Sequence, residues 1–225
     1  MASILQDVAI ASEALCLIIS LYFFRKLSGT TLHTLPYILG FIFVSDLLGI
    51  ILTQSVFKAN KLAFNLPYYN LTTSIIIVMW TYLLIRNLKV GVCRIILTVA
   101  LGIYLLFFAL NIAFIQILFK SLHTYSFTLG SIVLCMAAVC YLKQLVESDR
   151  IIQLKKDVMF WIAVGLFSFY MINIPYMAMY NYLFEHYIDL LSAMRKVTIF
   201  LSYFMYLCIF FGLLCLKEKS FSVSS

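Results

Sequence analysis

Residues 35–56 read LPYILGFIFVSDLLGIILTQSV, an apolar run with one charged side chain, Asp46, at its centre. At 1.5 Å rise per residue such a run measures about 33 Å as a helix, enough to cross a hydrocarbon core of about 30 Å. Its apolarity is continuous and not alternating, which marks a membrane helix and not a barrel strand. Comparable runs fall at Ile4–Phe24, Leu62–Ile85, Ile95–Phe119, Tyr125–Leu142, Val158–Leu183 and Ile188–Leu216. The sequence therefore predicts an all-α polytopic membrane protein, a seven-transmembrane-helix bundle forming a single domain over residues 1–225.

Composition agrees with this reading. The chain is 64% hydrophobic and 11% charged, with mean hydropathy +1.06, whereas soluble domains average about 45–50% apolar and 25% charged. The first apolar stretch lacks a basic leader and a clear small-x-small cleavage site, so it is expected to stay as a helix. Of six cysteines, five sit in apolar runs and Cys93 in a short basic loop. None has metal-type or CxxC spacing, and structural thiols are expected.

A net charge of +7 does not indicate nucleic acid here, because the basic residues flank apolar runs without forming a groove or tail. Eleven of the sixteen Lys and Arg lie in the first, third and fifth connections and the tail, among them Arg25, Arg86, Lys143, Lys156 and Lys217. The positive-inside rule then puts the N-terminus outside and the C-terminus in the cytoplasm, in an inner membrane. Membrane lipids are the expected acidic partners.

Six strongly polar side chains interrupt six of the runs: Glu13, Asp46, Asn70, Asn111, Asn173 and Arg195. Counted from the nearest outer run end, each lies about 10–15 Å deep, which predicts one outward-facing polar layer. Intramembrane ionisable groups are by default functional-site candidates, so these six are the expected ligand-binding residues, for a small or lipidic ligand. Arg195, the one cation set this far into a run, is expected to pair with Glu13 or Asp46. A buried hydrogen-bonded network that only fixes helix register is the alternative, and an ion path is another. Pro175, two residues after Asn173, should kink the sixth run.

Catalysis has little support. His33, His123 and His186 stand at run ends without paired carboxylates at ligand spacing, and GxSxG, HExxH and Gly-rich phosphate loops are absent from the sequence. No cofactor is expected. An acid pair such as Glu13 and Asp46 keeps an intramembrane lipid-modifying enzyme open as an alternative. The segment KQLVESDRIIQLKKD, residues 143–157, carries both charge signs with interspersed apolar residues, and reads either as a solvated helix extension or as an interfacial amphipathic turn facing a partner.

Seven helices invite comparison with rhodopsins and G-protein-coupled receptors, but the last run has no mid-depth Lys for a retinal Schiff base. Three stretches, LYFFRKLSGTTLHTLPYILGFIFVSDLLG, YYNLTTSIIIVMWTYL and LGSIVLCMAAVCYLKQLVESDRIIQLKKDVMFWIAVGLFSFYMINIP, resemble a family of uncharacterised seven-helix membrane proteins of Bacteroidetes, often encoded beside sensor kinases. The resemblance implies a sensor or signalling accessory with a cytoplasmic or membrane partner such as a sensor kinase. A structural membrane subunit and a transporter or channel are the other expectations.

Overall fold

A computed structural model describes residues 2–27, 29–56, 65–116, 122–147 and 157–221. The described elements are helices: α1 (Ala2–Tyr22), α2 (Phe24–Leu27), α3 (Leu35–Val56), α4 (Asn65–Asn87), α5 (Val92–Leu110), α6 (Thr124–Val146), α7 (Val158–Ala178), α8 (Tyr180–His186) and α9 (Ile188–Phe221). Six of these segments are long and apolar enough to cross a membrane, and α1 contributes a shorter apolar stretch, Val8–Tyr22.

Helix packing closes a ring. In space the order is α1, α3, α4, α6, α7 and α9, with α9 returning against α1, while α5 lies outside the ring on α6 and α4. Position in the ring follows from composition. The outer helix α5 carries large apolar side chains around most of its circumference, with Val92, Ile95, Ile103, Leu106 and nearby Phe114 exposed. A helix apolar all round suits a lipid-facing site. Helix α6, by contrast, buries Gly130, Ser131, Ala137 and Ala138, small residues that let neighbouring backbones approach.

Glycines set the tightest crossings. A Cβ on Gly165 of α7 would meet the Met205 carbonyl oxygen of α9 at 3.0 Å, and one on Gly212 of α9 would meet the Val158 carbonyl oxygen of α7 at 3.0 Å. These helices therefore touch near the start of α7 and again near its middle.

The ring interior is asymmetric along its axis. Trp80, Leu83 and Leu84 in the later turns of α4 pack with Ile162 and Leu166 in the early turns of α7 as an apolar core. The other end, where α4 and α6 begin and α7 stops, holds buried Asn70, Asn111, His123, Ser126 and Asn173.

Several run ends shift by a few residues, and the sixth and fourth runs also break their α-helix, each for a local cause. The sixth run breaks at Met179, whose N–H reaches the Pro175 carbonyl at 3.3 Å. Pro175 has no N–H for the Met171 carbonyl and crowds it, so α7 ends one turn later. The fourth run leaves α-geometry at Asn111, where residues Asn111–Ile115 form a π-turn, a feature that often marks functional sites. Most of the 143–157 segment lies outside the described residues, apart from an exposed Lys143–Glu147 pair at 3.8 Å and Asp157, which caps α7 through the Met159 N–H at 2.8 Å.

Candidate functional site: a buried acid pair and a polar end

Glu13 and Asp46 come together. Glu13 of α1 is 4% exposed and lies within hydrogen-bonding reach of Asp46 of α3 and of Tyr206 of α9. The seam is held by the Cys16 thiol, which donates to the Tyr206 carbonyl at 3.4 Å, and by the Tyr68 hydroxyl, which donates to the Ser45 carbonyl at 2.6 Å. A carboxylate only accepts, so a hydrogen bond between two carboxyls requires a proton on one of them. Glu13 Oε2 is buried without a hydrogen-bond partner. The centre can therefore accept one more donor.

Arg195 does not join it. The guanidinium side chain is exposed and its charge lies close to Tyr176 and Tyr180; among the described residues the one ion pair is Lys143–Glu147. Arg195 precedes Tyr206, the residue of α9 that meets Glu13, by about three helical turns, and helix side chains lean toward the N-terminus, away from that level. The expected pairing fails on register. Tyr180, beyond the end of α7, has its hydroxyl pKa raised by burial, with the Arg195 charge opposing the shift.

Asn173 is fully buried and bridges two helices differently. Its Nδ2 donates to the Phe169 carbonyl at 2.8 Å and its Oδ1 accepts from the Thr198 hydroxyl of α9 at 2.7 Å. Thr198 and Tyr206 are separated by about 12 Å along α9, so the amide and the acid pair engage different turns of that helix. The single layer counted from run ends is thus divided. Counting placed the end of the sixth run at Leu183, whereas Pro175 ends α7 at Ala178, and every depth measured from that end moved with it.

Asn70 and Asn111 belong to a network at the polar end. Asn70 Oδ1 accepts from the His123 backbone N–H at 2.9 Å, tying α4 to the start of α6. Asn111 Nδ2 donates to Gln116 Oε1 at 3.0 Å and Ser126 Oγ at 2.6 Å. Gln116 Nε2 and Asn181 Nδ2 both donate to the Leu122 carbonyl at 3.2 Å. Three helices and the π-turn are laced together here.

The residue the sequence reading passed over is His123. It is 4% exposed, edge-on to Phe108 at 6.3 Å, and its ring lies within reach of the Gln116 backbone. Burial lowers its pKa, and the nearby Gln116 backbone opposes the shift. In sequence it is one more histidine at a run end. Nothing in its sequence neighbours, Ser121, Leu122 and Thr124, sets it apart.

Among the described residues no cluster of three or more His, Cys, Asp or Glu can hold a metal. Comparison with known protein families, curated proteins and solved structures gives no match for this chain.

Proposed function

We propose that this chain is a seven-span inner-membrane sensor that binds a small ligand within its helical ring and relays occupancy to a cytoplasmic or membrane partner of the sensor-kinase type. In this reading the N-terminus and the polar end face outward, as the Lys and Arg asymmetry requires. The observation that carries it is unmet hydrogen-bonding capacity among the packed helices: Glu13 Oε2, Asn111 Oδ1, Thr128 Oγ1 and Ser131 Oγ are buried without partners. A network serving only helix register satisfies its members. Relay follows from α7, where the Asn173–Thr198 contact adjoins the Pro175 break and the glycine crossings couple α7 to α9 down to the opposite end.

Complementation tests this. Cells lacking the native copy should recover the transcriptional output of the wild-type chain, but not with Asn173→Leu, at equal membrane abundance. Full recovery by that variant would sink the sensor reading at this contact.

A second reading, proton or cation movement, is favoured by the Glu13–Asp46 pair. Proteoliposomes carrying the full chain would then dissipate a pH or sodium gradient, and Glu13→Gln would stop the flux. Wild-type vesicles as tight as empty ones would remove this reading.

A further inference from the structure

Arg195 lies two turns into Ile188–Cys215, an apolar segment of 28 residues. That segment measures about 42 Å against a hydrocarbon core of about 30 Å, so a centred helix leaves about 6 Å at each end in the headgroup layer. The Arg195 backbone, about 10 Å from the start of α9, then lies just inside the hydrocarbon boundary. Its long side chain leans toward the helix N-terminus, back to the level of the lipid phosphates. The end of α7 stands at the same level: the Thr198 hydroxyl donates to Asn173 Oδ1 at 2.7 Å, and Arg195 and Tyr176 are each one turn from that contact, toward the point where α7 stops. There Tyr176, Leu183 and Leu191 form a small apolar cluster, with Tyr180 and Met194 packed against it. Tyr180 stacks on the exposed Phe184 with ring centroids 6.5 Å apart. An exposed guanidinium thus adjoins an aromatic wall.

We infer that this surface, between the start of α9 and the junction of α7 with α8, is a binding site for one membrane phospholipid, with the Arg195 guanidinium on its phosphodiester and the aromatic wall against its glycerol and first acyl carbons. Arg195 makes no hydrogen bond or ion pair with any described residue, although Glu185 and Asp189 stand exposed at the same end. A guanidinium keeps its proton and presents five N–H donors, and a charge at this depth is costly without a counter-group. The acceptor the bilayer offers at that level is phosphate, whose two free oxygens match the guanidinium fork. Depth selects the source: the site opens sideways, where acyl chains run, so lipid reaches it without leaving the bilayer and a free anion would have to shed its hydration. Arg195, expected from the sequence to neutralise an acid inside the ring, is here the lipid-facing charge of the bundle. The assignment stands independently of the sensor reading.

The test is native mass spectrometry of the purified full chain in a nonionic detergent, with three probes: dioleoyl phosphatidylglycerol, dioleoylglycerol, which has the same chains without the phosphate, and inorganic phosphate. Phosphatidylglycerol should form one saturable adduct, at least about tenfold tighter than dioleoylglycerol. Arg195→Gln should weaken that adduct by at least about tenfold. Lys196→Gln removes the same charge about 100° round the helix and should change it by less than about twofold. Both side chains are exposed, and equal melting temperatures in the same detergent verify that both variants fold. Arg195→Lys keeps the charge without the fork and should fall between wild type and Arg195→Gln. Equal weakening by Arg195→Gln and Lys196→Gln would mean diffuse attraction and overturn the site, as would equal binding of dioleoylglycerol. Displacement of the lipid by millimolar inorganic phosphate would overturn the lipid assignment in favour of a free anion.

Discussion

Glu13 of α1 and Asp46 of α3 are adjacent partners in the ring interior, and Tyr206 of α9 completes a three-helix contact around Glu13. Because the two acids share an interaction, their truncations should not add. In a double-mutant cycle with Glu13→Ala and Asp46→Ala, thermal unfolding in detergent should give a coupling of about 0.6 kcal/mol and at most about 1.7 kcal/mol. Strict additivity would separate the two carboxyls.

Close helix crossing makes a second prediction. Gly165→Leu forces a side chain against the Met205 backbone and should cost about 1–3 kcal/mol. Gly102 on the outer helix α5 has nothing within 4 Å of its Cβ position, so Gly102→Ala should be neutral or stabilising by up to about 1 kcal/mol. Equal sensitivity at both positions in a melting-temperature comparison would contradict the placement of α5 outside the ring.

Acid should destabilise the polar end through His123. Its pKa in the fold is below the ordinary value of 6.5, so the unfolded chain binds the proton more readily. Stability is full above about pH 6.5 and falls as pH drops from there toward the folded pKa. His123→Asn should flatten the fall in melting temperature between pH 7.5 and 5. If wild type and variant track each other, the histidine is not the group responsible.

Cys93, at the start of α5, lies close enough to Cys140 of α6 for their thiols to interact. Mild oxidation with iodine should therefore form an intrachain disulfide, lowering the titratable thiol count by two, whereas Cys93→Ser should lose no pair. A wild-type chain that keeps all its thiols under these conditions would place α5 elsewhere.

Much of the architecture was legible from hydropathy. Run length and continuity alone require helices, because a backbone in hydrocarbon must satisfy its own hydrogen bonds, and LPYILGFIFVSDLLGIILTQSV reads the same way in sequence and structure. Pro175 announces a break because its ring removes a donor regardless of context. Charge and polarity also marked Glu13, Asp46, Asn70, Asn111 and Asn173 as residues that would turn inward, and all but the half-buried Asp46 are buried.

Partners were another matter. Counting residues along a run gives depth only relative to that run's end, and α7 ends at Ala178, well before the apolar stretch does. Which acid meets which helix depends on rotation about each axis and on the ring order, which puts α9 against α1. The sequence offers Arg195 as the partner of Glu13 or Asp46; only the register of α9 brings the Tyr206 phenol to the acid and leaves the guanidinium beside Tyr176 and Tyr180. His123 shows the same division most sharply. Its identity was in the sequence, but its burial against Phe108 and the Gln116 backbone exists only once α4, α6 and the π-turn close around it.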